Sequence, residues 1–203
     1  PMSDSLSTLP RISTRLNESS DELGWVARIR EGDAEAFRAM YDRHSDAMFG
    51  FAYACLKSRA EAQDVVHDIF LNILKNCEAF SVSGELKTYL LRAVYNRVAT
   101  LRRHLRVELV SHESIVRDAG SPTEWAYRGS TDDSLIQHEL GEALSRAVLT
   151  LPPRAQQAYR LVREQELAYV EAAEVMGIST HTVEIHLIRA LKALREQLVS
   201  WRK

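Results

Sequence analysis

"GISTHTVEIHLIRALKALRE", residues 177–196, decides how this chain is read. Gly177 follows Ala173 by four residues and precedes Val183 by six, the spacing a helix-turn-helix needs. Ala173 is small where two helices would cross closely. Gly177 can take the positive φ of a tight turn. Ile178 plugs the space beneath that turn, and Ser179 is placed to cap the next helix. Val183, Leu187, Ala190, Leu191 and Leu194 continue as its inner face, leaving Thr180, His181, Glu184, Ile185, Arg189 and Lys192 pointing outward. Thr and His at a helix N-terminus reach base edges in a major groove, while Arg and Lys take phosphates. From residue 189 to the end, five basic residues face one acid, the local bias that DNA binding requires. The other reading is a plain three-helix bundle with a solvated charged face. His186 lies near the inner face and reads as a packed histidine. His181 and His186 diverge around the helix and make no metal pair.

Working outward, the 203-residue chain has a net charge of −2, so nothing global points to nucleic acid and any signal must be local. An apolar fraction of 45% is enough for a packed core. Cys55 and Cys77 lie 22 residues apart, without a CxxC or a His pair at zinc spacing. They read as reduced cytosolic thiols, not as a disulfide or zinc site. The start, "PMSDSLSTLPRISTRLNESS", is polar and lacks the apolar stretch of a secretory signal. No run approaches the ~18 apolar residues that span a bilayer. A cytoplasmic protein without membrane insertion is expected.

Helical periodicity runs through the chain, and strand alternation and hairpin turns are missing. "RAEAQDVVHDIFLNILKN" sets Ala62, Val65, Val66, Ile69, Phe70, Ile73 and Leu74 on one stripe. "DELGWVARIREGDAEAFRAMYDRHSDAMFGFAYACL" reads as a helix, a break at Gly32-Asp33 with Asp33 as N-cap, and a longer helix. "SGELKTYLLRAVYNRVATLRRHLR" turns Leu86, Leu90, Ala93, Val94, Val98, Leu101 and Leu105 inward. Residues 107–150 then carry eight acids against three arginines, interrupted by Gly120, Ser121, Pro122, Gly129 and Ser130. Helicity resumes near Ser134 and breaks at Pro152-Pro153. The expected fold is all-α: a disordered tail at 1–20, a helical domain at 21–106, a flexible acidic linker at 107–135 and a helix-turn-helix domain at 136–203.

The 85–106 helix has a second face. Arg92, Asn96, Ala99, Arg103 and Arg106 form a polar stripe flanked by Arg97 and Arg102. Residues 85–106 hold six Lys/Arg and one Glu, with Tyr89 and Tyr95 interleaved. Basic groups with aromatics and an Asn suit a surface that follows a nucleic-acid backbone and handles unstacked bases; a solvated basic face is the alternative. The preceding helix is the opposite, turning Glu61, Asp64, Asp68 and Asn72 outward. An acidic face beside a basic one points to two partners, one protein and one nucleic acid, unless those acids merely solubilise the helix.

"GDAEAFRAMYDRH", "RAEAQDVVHDIFLNIL", "ELKTYLLRAVYNRVATLRR" and "LPPRAQQAYRLVREQELAYVEAAEVMGISTHTVEIHLIRALKALRE" resemble, in order and spacing, a bacterial RNA polymerase sigma factor of the extracytoplasmic-function (group IV) type. The resemblance covers about residues 21–106 and 140–198. It implies a sigma-2 domain, a linker and a sigma-4 domain, with core RNA polymerase (the β′ clamp helices and the β flap) and promoter DNA as partners. By that resemblance Glu61, Asp64, His67, Asp68, Phe70 and Asn72 contact core polymerase. Phe80, Lys87, Arg92, Tyr95, Asn96, Arg97, Arg102, Arg103 and Arg106 handle the −10 element as its strands separate. Ser179, Thr180, His181, Thr182, Glu184, Ile185, Arg189 and Lys192 read the −35 duplex. The linker's acids would thread toward the active-site channel, or serve only as a disordered acidic spacer. An anti-sigma factor is a common partner in the family, and no residue here specifies one.

Some positions depart from the family pattern. The usual "A-E-D" and "V-Q-D/E" read Ala62-Gln63-Asp64 and Val66-His67-Asp68. Tyr95 stands in place of arginine before Asn96, and Tyr89 and Leu74 replace tryptophans. "TVEIHLIRALKALR" is closer to the iron-uptake and polysaccharide-uptake subgroups than to the commoner "GTVxSRxxRA". "TVEIHL" also resembles a response-regulator output helix, which makes a two-domain regulator the alternative. A receiver would need alternating strands and an acidic pocket in the first hundred residues, and neither is visible. No Ser-His-Asp spacing, P-loop, GxGxxG, HExxH or HxE…CxxC is present, so no enzyme, cofactor or metal site is expected.

Overall fold

In the computed structural model, residues 22, 24–111 and 134–199 are described; side chains at 104–111 and 134–138 are not. The tail expected at 1–20, most of the linker expected at 107–135, and residues 200–203 lie outside the described residues. No strand occurs among the described residues, and the fold is all-α.

A short α1 (24–30) leads into α2 (Ala34–Leu56). Asp33 caps α2 as its sequence position predicts: Oδ1 accepts from the Glu35 and Ala36 amides at 2.8 and 3.2 Å, and Arg28 pairs with the carboxylate at 2.6 Å. These hydrogen bonds and the guanidinium hold the Asp33 carboxyl below its ordinary pKa. The chain leaves α2 through Lys57 in left-handed backbone, φ 60°. Ser58 Oγ then accepts from the Glu61 amide at 3.3 Å and starts α3 (Arg59–Lys75). A single 3₁₀ turn (Cys77–Ala79) and a loop lead into α4 (Leu86–Ser111), which runs beyond the expected domain edge at 106.

α2, α3 and α4 pack together around Met40, Met48, Phe51, Val65, Leu90 and Val94, all buried. On α3 the expected inner stripe is buried except for Leu74, 51% exposed. It sits at the edge of the stripe in the helix's last turn, where no facing element covers it. On α4 Leu86, Leu90, Val94 and Val98 are buried with Ala93 and Leu101 half-buried, while the side chain of Leu105 lies outside the described residues.

The second half comprises α5 (Ser134–Leu149), α6 (Pro153–Tyr159), α7 (Tyr169–Met176) and α8 (Thr180–Leu198). Pro153 opens α6, where its missing N–H costs nothing. The last turn of α6, Arg160–Glu164, widens so that the Gln165 amide donates to the Arg160 carbonyl at 2.8 Å. Glu171 accepts from the Ala168 amide at 2.5 Å and starts α7. Gly177 ends α7 at φ 62°, the Ile178 amide closes onto the Ala173 carbonyl at 3.1 Å, and Ser179 Oγ accepts from the Thr182 amide at 3.1 Å to begin α8. The helix-turn-helix read from Ala173, Gly177 and Val183 is therefore built as expected. On α8, Leu191 is a correction: it was expected on the inner face but is 41% exposed, because Ala190 and Leu194 already fill the contact with α5 and α6.

The halves are not independently packed. Ala158, Leu161, Leu167, Ala172, Val175 and Val183 share one apolar core with the α2–α4 residues, and α7 lies along α4. A smaller cluster (Ala147, Val148, Leu151, Ala155, Ala190, Leu194) ties α5, α6 and α8.

Candidate nucleic-acid and polymerase interfaces

The outer face of α8 presents Thr180, His181, Glu184, Arg189 and Lys192 exposed, with Ile185 half-buried at their margin. The positive end of the helix dipole points toward Thr180, favouring a phosphate there. Ser179 and Thr182 are bonded to each other, Oγ to Oγ1 at 2.7 Å; their hydroxyls are engaged in starting the helix. His181 lies 3.8 Å from the Glu184 carboxylate. His186 is half-buried, and burial, then Arg189 and Arg154, lower its pKa, so it is held neutral beside the basic face.

On α4 the expected stripe is real: Arg92, Asn96, Ala99 and Arg103 are all exposed on one side. Arg106 lies on the same helix, its side chain outside the described residues. The flanking groups are engaged. Arg97 pairs with Asp68 at 2.6 Å, tying α4 to α3. Arg102 donates to the Cys55 carbonyl at the end of α2. Lys87 donates to the Gln165 carbonyl at 2.5 Å, Arg92 meets Glu174 at 3.1 Å, and Arg154 donates to the Tyr95 hydroxyl with its guanidinium 5.8 Å from the ring centre. Phe80 corrects the expectation for the −10 surface: it is 5% exposed, packed edge-on against Tyr89 at 5.7 Å, and supports the loop from inside.

On α3, Asp64, His67, Asp68 and Asn72 face outward and Glu61 is half-buried. Phe70 is a correction as a contact residue. It is 3% exposed beneath Phe37 and Tyr41, with ring centres 6.0 and 4.7 Å away, and belongs to the core. Asp64 and His67 share an open cleft of about 400 Å³ with Tyr41, Ser45, Asp46, Phe49 and Arg59. Tyr41 and Asp46 come from α2, which sequence reading passed over. No sequence signal marks them: Tyr41 is 43% exposed, and Phe49, half-buried on the same helix, lines the cleft beside it. Among the described residues no cluster of His, Cys, Asp or Glu could hold a metal ion, and no helix is long and apolar enough to cross a membrane.

Two family models match this geometry in order: sigma-70 region 2 over residues 40–107, which holds the α3 and α4 faces, and sigma-70 region 4 over 141–194, which holds the helix-turn-helix. Together the two models cover more than half of the chain, which belongs to the sigma-70 family of RNA polymerase sigma factors. It is similar to the ECF RNA polymerase sigma factor SigW of Bacillus subtilis (25% identical, covering 85% of this chain and 94% of that one). It is also similar to the ECF RNA polymerase sigma factor BldN of Streptomyces coelicolor (27%, 90% and 67%). In fold it resembles the sigma factor RpoE of Bartonella quintana, solved with the anti-sigma factor NepR, at a TM-score of 0.65 and 19% identity over 81% of this chain and 98% of that one. A response-regulator architecture is not favoured, since region 2 occupies the segment where a receiver would lie.

Proposed function

We propose that this chain is a dissociable specificity subunit that docks on core RNA polymerase through the α3 face, holds −35 duplex DNA with α8 and takes the −10 element as opened strand along α4. The observation that carries the reading is the pairing of two chemically different basic faces on one chain. The α8 face starts from a helix N-terminus, suited to a duplex groove. The α4 face mixes Arg92, Asn96 and Arg103 with neighbouring Tyr89 and Tyr95, suited to stacking unpaired bases at about 1–3 kcal/mol each. Opening then draws on binding energy, with no catalytic group supplied by this chain. Asp64 and His67, with Tyr41 and Asp46 across the cleft, give core polymerase a mixed acidic and aromatic surface, and Asp68 lies exposed further along α3. By likeness to the Bartonella protein, an anti-sigma partner belongs to the same reading. Run-off transcription from genomic promoter fragments, with core polymerase alone and with this chain added, tests it. Initiation that depends on the chain is expected; transcripts identical in both reactions refute the reading.

A further inference from the structure

Glu184 is the wrong charge for the face it occupies. Val183 and Leu187, 0% and 2% exposed, pin the inward side of α8 and leave Glu184 outward, one turn beyond Thr180. Around it Thr180, His181, Arg189 and Lys192 are exposed. That set gathers phosphates, and a carboxylate among them repels the same phosphates.

Neither ordinary use of a helical acid accounts for it. The helix dipole favours acids within the first turn, and Glu184 lies past that turn, well beyond the Ser179 cap. A stabilising ion pair needs Lys or Arg three or four residues away; those positions hold Thr180, His181, Leu187 and Ile188. His181 Nδ1 stops 3.8 Å from the carboxylate, beyond hydrogen-bond reach. Among the described residues no group donates a hydrogen bond to Glu184, whose side chain is 54% exposed.

A carboxylate only accepts, and that decides which base edge suits it. In the major groove cytosine shows the N4 amino group and no acceptor. Adenine shows its N6 amino group beside the N7 acceptor. Guanine, with N7 and O6, and thymine, with O4, show acceptors alone. The carboxylate is therefore drawn to cytosine, fits adenine less well and is repelled by guanine and thymine. Raw attraction to the backbone falls while discrimination between bases rises.

We propose that Glu184 is a specificity residue of this chain, its carboxylate accepting from the N4 amino group of one cytosine in the −35 duplex and rejecting guanine and thymine there. The proposal rests on the α8 reading above. Its test uses the full chain bound to core polymerase and a promoter fragment that gives chain-dependent run-off transcripts. Each base pair of the −35 block is replaced in turn by the other three, and affinity for each duplex is measured by competition. At one position the parent is expected to prefer cytosine over guanine about tenfold or more, the discrimination of a good base-edge contact. Glu184→Gln should move that preference to adenine, because an amide accepts from N6 and donates to N7. Glu184→Ala should level that position and no other. N4-methylcytosine keeps the pairing hydrogen and carries a methyl group in place of the second. It should weaken the parent about tenfold and leave Glu184→Ala unmoved. Circular dichroism verifies the helicity of each variant. His181→Ala should keep the cytosine preference; its loss there assigns the reading to the imidazole and overturns the proposal. A Glu184→Gln profile that superposes on the parent at every position also overturns it, and leaves α8 on the −35 duplex with a solvated acid. A parent profile flat across the whole block removes α8 from the duplex, and the proposal with it.

Discussion

At the scale of single residues, glycine shows how the same substitution takes opposite signs. A Cβ built on Gly177 meets nothing within 4 Å, so sterics with neighbours do not hold that position; its φ of 62° does. Gly177→Ala is expected to cost about 1–2 kcal/mol, the penalty of left-handed backbone in an L-residue. Gly50, exposed within α2, also has open space around its Cβ position but no positive φ. There Gly50→Ala is expected to stabilise by about 0.5–1 kcal/mol. Thermal denaturation of the two variants against the parent should move in opposite directions; parallel shifts would contradict the backbone argument. Phe70 makes a second case. As a polymerase contact, its loss would weaken docking and spare the fold. At 3% exposure beneath Phe37 and Tyr41, Phe70→Ala is instead expected to cost about 3–5 kcal/mol of stability. Chemical denaturation measures it, and a variant as stable as the parent that no longer docks would restore the contact role.

Among elements, α8 was the most legible, because its signal is local. Ala173, Gly177, Ser179 and Val183 each have one physical job at one spacing, and the turn forms as those jobs require. α3 and the inner side of α4 were legible by period alone. What stayed hidden is what period cannot carry. Leu74 and Leu191 sit on apolar stripes yet face solvent, since exposure depends on whether a facing element reaches that turn. The resemblance gave Phe80 a surface role although it anchors its loop from inside, and it gave Phe70 a contact role although the period had already set that ring on the inner stripe. Lys87, Tyr95 and Arg102 were read as facing DNA, while their partners in the fold lie 47 to 78 residues away, and nothing in a single sequence reports such pairing. The outer face of α8 supports a quantitative expectation. If Arg189 and Lys192 each neutralise a phosphate, replacing either by Ala should reduce the salt slope of duplex binding by about 0.9. Anisotropy titrations of a −35 duplex over a range of potassium chloride concentrations measure that slope. An unchanged slope removes the residue from the phosphate-contacting set.

For the molecule as a whole, the seam between the halves ties conformation to pH through one lysine. Lys57 is exposed by area, yet partial burial, followed by the nearby Arg160 guanidinium, lowers its pKa to about 8. Arg102 pushes the same way, while Cys55 and Glu164 oppose it. Parting of the halves takes Arg160 away and returns the amine toward its ordinary ~10.4. The closed chain therefore binds fewer protons than the open one between those values, so closure is penalised while Lys57 is charged, and the penalty fades as pH rises through about 8. Burial raises the pKa of the Cys55 thiol, and burial with Glu164 raises that of the Tyr159 phenol, so both lag behind Lys57 in losing a proton. Energy transfer between dyes placed at Arg38→Cys and Glu196→Cys, in a Cys77→Ser background, is expected to be flat from pH 6.5 to 7.5 and to rise from about pH 8 to 9.5. Lys57→Met, which keeps the stem and removes the amine, should flatten that rise while leaving the α-helical circular dichroism unchanged. A slope that survives the substitution would assign the titration to another group and detach Lys57 from the seam.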